Sequence, residues 1–130
     1  MTTDLIYLAA PYSHESKLIR FERFEKINAM AARLMQARLY IFSPISHTHP
    51  IAEAGELPKG WEYWKWYDEQ YLAVCKAMIV YAMQGHLESI GVQAEIRFME
   101  SVGRRVLYAQ DHTVDGFLKD LRNGKVSFCR

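Results

Sequence analysis

The sequence predicts a single α/β domain in which helices cover both faces of a parallel sheet of four to five strands. Short, continuous apolar runs alternate along the chain with longer segments of helical periodicity. Such runs are typical of strands buried on both faces. Their alternation with helices favours parallel strands joined by right-handed crossovers. The chain has 130 residues, and no repeat, linker or low-complexity tract divides it. We therefore assign residues 1–130 to one domain.

The first predicted strand is the apolar run Leu5–Ala9, which the Ala10-Pro11 step ends. A long helix follows over Glu15–Arg38, because apolar residues recur there at helical spacing. The second strand is predicted over Leu39–Phe42. The buried face of the long helix is predicted to consist of Phe24, Ile27, Ala31, Leu34 and Met35.

The segment from Ser43 to Lys59 is predicted to be an irregular loop, because Pro44, Pro50 and Pro58 interrupt it. A loop of this length in a compact domain is usually functional or mobile. The next helix is predicted to begin at Gly60 or Trp61 and to end near Lys76. Its inward stripe is predicted to contain Trp64, either Tyr67 or Asp68, Tyr71, Leu72 and Cys75.

The third predicted strand, Ala77–Tyr81, leads through the loop Ala82–Glu88 into another helix. Ser89 stands where its hydroxyl can accept from the free N–H groups of the first helical turn. Val102-Gly103 is a typical helix end. The remaining predictions are a strand at Arg105–Ala109, a helix at Val114–Leu121, a turn at Asn123-Gly124 and an edge strand at Val126–Phe128.

Charge and composition exclude several classes of partner. The net charge is +1, and the absence of a basic surplus predicts no binding to nucleic acid. No apolar run approaches the length of a membrane span, and the N-terminal segment lacks the positive charge of a signal peptide. We therefore expect a soluble, cytoplasmic protein with no membrane partner. Cys75 and Cys129 lack disulfide or zinc spacing, and Cys75 is expected to be a reduced core thiol.

One acidic residue interrupts the apolar stripe of the helix that follows the third strand. Glu95 lies three residues after Val92 and four before Met99. A carboxylate on an inward stripe must be protonated, paired or turned toward a cavity, because burying it alone is very costly. A structural ion pair with Arg97 or Arg104 would explain the position as well as a catalytic role would.

Asp68 is a second carboxylate close to an apolar helical face. Two acids beside one cleft suit glycosidic chemistry, in which one attacks the anomeric carbon and the other protonates the leaving group; a retaining pair lies ~5 Å apart. Tyr7 either directs its hydroxyl toward Glu95 or is an ordinary core residue. Ser89 with Gly91 either binds an anion at the helix N-terminus or only caps the helix.

In a parallel α/β sheet, ligands bind at the carboxyl ends of the strands. Ala10, Pro11 and Gly85 follow strands and are therefore predicted to contact substrate. His47 and His49 alternate within the proline-containing segment and are predicted to line the pocket. They do not form a metal site, because further ligands are lacking. Neither a dinucleotide fingerprint, a P-loop nor a nucleophile elbow is present, so no cofactor is predicted.

These motifs occur together in one known group. The segment IYLAAPY at residues 6–12, Asp68 and the pattern SxGVxxE at residues 89–95 resemble the nucleoside 2-deoxyribosyltransferase-like superfamily. The segment PIxHxHP at residues 44–50 is similar to a bacterial and phage branch of it. Lys76 and His86 depart from the pattern, at positions where relatives often carry an acid and an aromatic residue.

The resemblance implies a flavodoxin-like fold, a homodimer or higher homo-oligomer, and cleavage or transfer of the N-glycosidic bond of a (deoxy)nucleoside or its 5′-monophosphate. It implies that Glu95 is the nucleophile, that Tyr7 holds Glu95 and that Asp68 assists departure of the base. Ser89 resembles the phosphate-binding serine of deoxynucleoside 5′-monophosphate N-hydrolases. The alternatives are a non-catalytic protein that binds nucleotides or nucleotide-sugars, and a structural partner protein. The base, the acceptor and the phosphorylation state stay open.

Overall fold

Four parallel strands organise the chain in the computed structural model, which describes residues 4–129. The strands are β1 (Leu5–Ala9), β2 (Tyr40–Phe42), β3 (Ala77–Tyr81) and β4 (Arg105–Ala109). They lie side by side in the order β2-β1-β3-β4. The chain moves outward in opposite directions from β1 and β3, so a crevice opens between these two strands at their carboxyl ends. The fold is flavodoxin-like, as predicted, and the sheet has four strands within the described residues.

Helices cover both faces of this sheet. They are α1 (Lys17–Gln36), α2 (Pro44–Gly55), α3 (Trp61–Val74), α4 (Ile90–Ser101) and α5 (Val114–Arg122). Side chains of α1 and α5 pack against one face of the sheet, and side chains of α3 and α4 pack against the other. The short helix α2 lies against α1 and β1. The domain is therefore a three-layer αβα structure, as the alternation of strands and helices predicts.

The two faces have separate cores because successive side chains of a strand point in opposite directions. In β1, Ile6 and Leu8 enter the core formed with α1 and α5. Tyr7 and Ala9 enter the core formed with α3 and α4. Both neighbours of Tyr7 in the sheet, Phe42 and Met78, belong to this second core or pack against it. Tyr7 is therefore fully buried on the face that carries α4.

The prediction of an irregular loop from Ser43 to Lys59 is wrong, because α2 occupies most of this segment. Pro44 stands at the start of the helix, where backbone N–H groups have no intrahelical partner, so its lack of an N–H costs no hydrogen bond. Pro50 lies inside the helix and does remove a hydrogen bond. Burial of Thr48 and Ala52 against the rest of the domain favours the helix nevertheless. Tertiary packing has overridden the two proline signals.

Several smaller predictions are also corrected. Met35, which was predicted to be buried, is half exposed, and Met30 is buried in the core instead. The helix presents a slightly different face to the sheet than the sequence pattern predicts. Val126–Phe128 forms no strand, although Phe128 packs into the core. Helices α1 and α3 each begin or end about two residues inside their predicted limits. In α3 the ambiguous phase resolves in favour of Asp68, which is buried.

Candidate active site

A cavity of about 390 Å³ lies at the carboxyl end of β1, enclosed by the walls that α2, α3 and the start of α4 provide. A volume of this order is typical of sites for small molecules. The cavity occupies the place that the strand order predicts for a ligand crevice. Its lining includes Ala10, Tyr12, Thr48, His49, Lys59, Trp61, Trp64, Asp68, Ser89, Gly91 and Glu95.

Glu95 is a buried acid whose partner is a tyrosine. The Tyr7 hydroxyl donates a hydrogen bond to Glu95 Oε2. Burial raises the pKa of the Glu95 carboxyl to about 8, while the hydrogen bond from Tyr7 opposes that rise. The nearby Asp68 carboxyl adds to the rise in the Glu95 pKa. A proton on Glu95 is therefore easily gained or lost near neutral pH, unlike the proton of an ordinary glutamic acid.

The alternative to a catalytic role for Glu95 is a structural ion pair with Arg97 or Arg104. Neither arginine pairs with Glu95 in the described residues. Arg97 is exposed. The Arg104 guanidinium donates instead to the carbonyls of Leu72 and Cys75, at 2.9 and 2.7 Å. These two carbonyls belong to the C-terminal end of α3 and the residue after it, so Arg104 caps that helix. Glu95 therefore lines the cavity, and Tyr7, which is fully buried and does not line it, is its hydrogen-bond donor.

Asp68 contributes a second buried carboxyl group to the same cavity. Its Oδ1 atom is buried and has no hydrogen-bond partner among the described residues. Burial raises the pKa of the Asp68 carboxyl to about 7. An unpaired buried carboxylate oxygen is costly, so the group gains from a proton or from a hydrogen-bond donor on a ligand.

The N-terminal end of α4 forms another wall of the cavity. The Ser89 hydroxyl accepts from the backbone N–H of Val92 at 3.2 Å, so Ser89 is the predicted N-cap. Gly91 packs against Trp61, and a Cβ atom at Gly91 would lie at an ordinary contact distance of 3.5 Å from the indole ring. Both Ser89 and Gly91 line the cavity. An anion at this point would meet the free N–H groups and the positive end of the helix dipole.

The two histidines of α2 have different surroundings. His49 is buried and lines the cavity, with Nδ1 hydrogen-bonded to the Tyr12 hydroxyl. His47 is exposed and does not line the cavity. Its Nε2 atom lies 2.8 Å from the Tyr67 hydroxyl. Successive odd residues share a face in a strand but not in a helix, so the helical conformation of this segment separates the two side chains.

Pro11 and Gly85, both predicted to contact substrate, lie beside the cavity instead of in its lining. A Cβ atom at Gly85 would lie 3.8 Å from Pro11 and 2.8 Å from the Arg23 guanidinium. Gly85 has a φ of +97°, a conformation that favours glycine. It shapes the β3–α4 loop and lines a second cavity, of about 510 Å³, that shares only Glu88 with the first. Ala10 does line the main cavity.

Several lining residues have no clear signal in the sequence. Tyr12 lies within the segment IYLAAPY, but its partner His49 is 37 residues away, so no local pattern indicates their contact. Lys59 holds its ammonium against the carbonyls of Ala52 and Leu57 at 3.2 and 2.9 Å. Trp61 is turned toward the cavity by its position in the first turn of α3. Only the aromatic composition of α3 indicated a ring-binding wall.

No group of three or more potential metal-ligating side chains lies together within residues 4–129. Over the same residues, no helix has the length and apolar character needed to cross a membrane.

A protein-family model matches most of the chain. The family model DUF1937, described as a domain of unknown function, matches residues 4–111. This range includes all four strands and every lining residue of the cavity. No curated protein matches the chain.

Proposed function

The chain belongs to the DUF1937 family, and we propose that it cleaves or transfers the N-glycosidic bond of a (deoxy)nucleoside or nucleoside 5′-monophosphate. One observation carries the proposal: two buried carboxyl groups, Glu95 and Asp68, line a single cavity, and neither has an arginine or lysine partner among the described residues. Buried acids without a cation are costly to the fold, and such groups cluster at active sites.

Glu95 is the nucleophile of this proposal. One of its carboxylate oxygens attacks the anomeric carbon of the sugar, the bond from that carbon to the base nitrogen breaks, and a covalent glycosyl-enzyme forms. The hydrogen bond from Tyr7 favours the ionised form that must attack and holds the carboxylate in position. Positive charge that develops on the sugar ring in the transition state stabilises the same ionised form.

Asp68 is the acid–base group. Its raised pKa of about 7 leaves a proton available near neutral pH, which it donates to the departing base nitrogen. It then takes a proton from the incoming nucleophile. When that nucleophile is water, attack on the anomeric carbon releases the sugar and restores Glu95. When it is a second base, the product is a new nucleoside.

Other parts of the lining support a nucleoside-like ligand. Trp61 and Trp64 give the cavity apolar, planar walls of the kind that suit a stacked ring. The start of α4, with Ser89 and Gly91, offers backbone N–H groups to a hydroxyl or a phosphate. The cavity therefore supports binding of a planar ring and of a polar sugar by separate walls.

The test is a mass-spectrometric screen for free base released from 2′-deoxynucleosides and their 5′-monophosphates. We expect release by the wild-type protein and a loss of about a thousandfold or more in Glu95→Gln, because the amide cannot attack the anomeric carbon. Intact-protein mass measured during turnover should show an added glycosyl group on the wild type.

The matched control is Asp111→Asn, which changes an acid that accepts a hydrogen bond from another tyrosine, Tyr81, at 2.7 Å. Asp111 does not line the cavity, so its turnover should equal that of the wild type. Unchanged base release by Glu95→Gln would rule out the proposed nucleophile.

A second candidate, a non-catalytic nucleotide-binding protein, is favoured by the Glu95 pKa of about 8. A carboxyl group that is mostly protonated at neutral pH can donate a hydrogen bond to a bound sugar instead of attacking it. This candidate predicts a rise in Tm with nucleotide and no released base. Any base release that depends on Glu95 excludes it.

A further inference from the structure

Two aromatic neighbours, Phe24 and Tyr12, hold His49 in the cavity wall. Its imidazole is stacked on the Phe24 ring, with centroids 4.0 Å apart and planes 21° apart. The Tyr12 ring meets it edge-on, at 5.5 Å and 87°. The Tyr12 hydroxyl is hydrogen-bonded to Nδ1. His49 is only 7% exposed. Its Nε2 atom has no partner among the described residues, so this atom is free to meet a ligand in the cavity.

The Tyr12 contact favours one tautomer of this imidazole. A phenol hydroxyl is a stronger acid than an imidazole N–H, and an imidazole nitrogen is a stronger base than a phenol oxygen. The better hydrogen bond therefore runs from the Tyr12 hydroxyl to Nδ1 of His49. With Nδ1 as the acceptor, the neutral ring carries its proton on Nε2.

The surroundings also favour the neutral form of His49. Burial lowers its pKa, and the positive charges of Lys59, Arg20 and Lys17 lower it further. Glu53 acts in the opposite direction and raises it, but the net direction is downward. Burial also raises the pKa of Tyr12, so its hydroxyl keeps its proton and stays a donor.

We propose that Tyr12 fixes His49 as a neutral Nε2–H donor in the cavity wall, and that this donor selects ligands whose planar ring presents a hydrogen-bond acceptor to α2. The acceptor is a ring nitrogen of an uncharged heterocycle. This inference rests on the proposed function only where it takes the ring to be a nucleobase. It makes His49 a specificity-determining residue and Tyr12 its positioning residue.

Discrimination of this kind has a clear physical basis. Nε2 is the free polar atom of a side chain that is otherwise buried, so a ring without a matching acceptor leaves it unpaired. Sites built around such a buried donor reject ligands that cannot accept from it. His49 lies on α2, whereas Asp68 and Glu95 lie on α3 and α4. The donor and the carboxyl groups thus contact the ligand from different helices.

The first experiment measures binding, so it does not depend on turnover. Affinities of 2′-deoxyadenosine, 2′-deoxyguanosine and their 1-deaza, 3-deaza and 7-deaza analogues are measured by calorimetry on the full chain carrying Glu95→Gln. We expect one ring position at which replacement of nitrogen by carbon weakens binding about tenfold, the effect of roughly one net hydrogen bond. Adding His49→Phe, which keeps an aromatic ring beside Phe24, should abolish the difference between parent and analogue. Adding His49→Gln, which restores an N–H donor, should recover part of it.

A difference that persists in His49→Phe would overturn the inference, and so would equal or unmeasurable affinity for all parents and analogues. These outcomes differ from failure of the proposed function. If base is released but analogue binding ignores His49, the inference falls and the N-glycosidase remains. If no base is released but binding depends on His49, the N-glycosidase falls and the inference about His49 remains.

The second experiment observes the tautomer directly, by two-bond ¹⁵N–¹H correlation NMR of the ligand-free chain at pH 7. We expect the pattern of a neutral imidazole protonated on Nε2 for His49, and a mixture of tautomers in Tyr12→Phe. A purely structural tyrosine would leave the tautomer unchanged when its hydroxyl is removed. A proton on Nδ1, or on both nitrogens, in the wild type would overturn the proposal.

Discussion

Two tyrosine–carboxylate pairs lie on opposite faces of the same sheet, and in only one of them are both partners buried. On the α3–α4 face, Tyr7 in β1 donates to Glu95, and both residues are buried. On the α1–α5 face, Tyr81 in β3 donates to Asp111 at 2.7 Å, and Asp111 is exposed. The donors match in chemistry and burial, so the pairs differ chiefly in whether the acceptor reaches solvent.

Burial of the carboxyl group, and not the hydrogen bond, accounts for the raised pKa of Glu95. Burial raises the pKa of Glu95 to about 8 even though Tyr7 donates to it. Asp68 in the neighbouring helix behaves in the same way, with a pKa raised to about 7. One face of the sheet is therefore a structural core, and the other carries two acids whose burial costs folding free energy.

The largest expected difference between the faces is in the pH dependence of stability. Glu95 and Asp68 have folded-state pKa values near 8 and 7, well above those of the unfolded chain. The folded state then binds more protons than the unfolded state at intermediate pH, so the free energy of unfolding falls as pH rises. The fall is about 1.4 kcal/mol per pH unit for each group between its unfolded and folded pKa values. Denaturant unfolding from pH 4 to pH 9 measures it.

The double variant Glu95→Gln/Asp68→Asn should lose this slope, because neither amide titrates. The free energy of unfolding of the wild type, relative to that of the double variant, should fall from pH 4 to pH 8 and level off above pH 8. The control Asp111→Asn should follow the wild-type slope in this window. A constant difference between wild type and double variant would show that the two carboxyl groups ionise normally in the folded state.

Removal of the Tyr7 hydroxyl should have the next largest effect. Tyr7→Phe leaves Glu95 buried without its donor, which should cost about 1–3 kcal/mol of stability. The donor also lowers the Glu95 pKa, so its loss should shift that pKa further upward. Thermal unfolding measures the first effect, and the acidic limb of the pH–rate profile should move to higher pH. If Tyr7→Phe loses the expected stability but its pH–rate profile does not move, Tyr7 has a purely structural role.

Much of the face that carries Glu95 and Asp68 could be predicted from the sequence, because it rests on local periodicity. The strands are short apolar runs, and Glu95 stands out because it occupies an inward position of a helical stripe. Asp68 was ambiguous by one residue, since a helix with aromatic residues on several sides has no clear phase. Tyr7 follows from its place in a strand whose alternate side chains enter the same core.

The wall that α2 contributes could not be predicted, for two physical reasons. Pro44 and Pro50 are local signals for a break, whereas burial of Thr48 and Ala52 depends on distant parts of the fold. The pairing of Tyr12 with His49 spans 37 residues and leaves no periodic trace in the sequence. The resemblance to a known superfamily indicated the carboxyl groups and Ser89, but it did not indicate this contact.

The smallest expected effect tests whether burial is the property that separates the two pairs. Tyr81→Phe removes the same hydroxyl as Tyr7→Phe, but the acceptor it leaves, Asp111, can be hydrated. The cost should be that of one net hydrogen bond, about 0.5–1.5 kcal/mol, with no change in turnover or in its pH profile. The two variants, measured side by side by denaturant unfolding, show how much burial of the carboxyl group adds to the stability cost of losing the hydroxyl. Equal costs for both would mean that water reaches Glu95 as readily as Asp111, and the raised Glu95 pKa would then lack its physical cause.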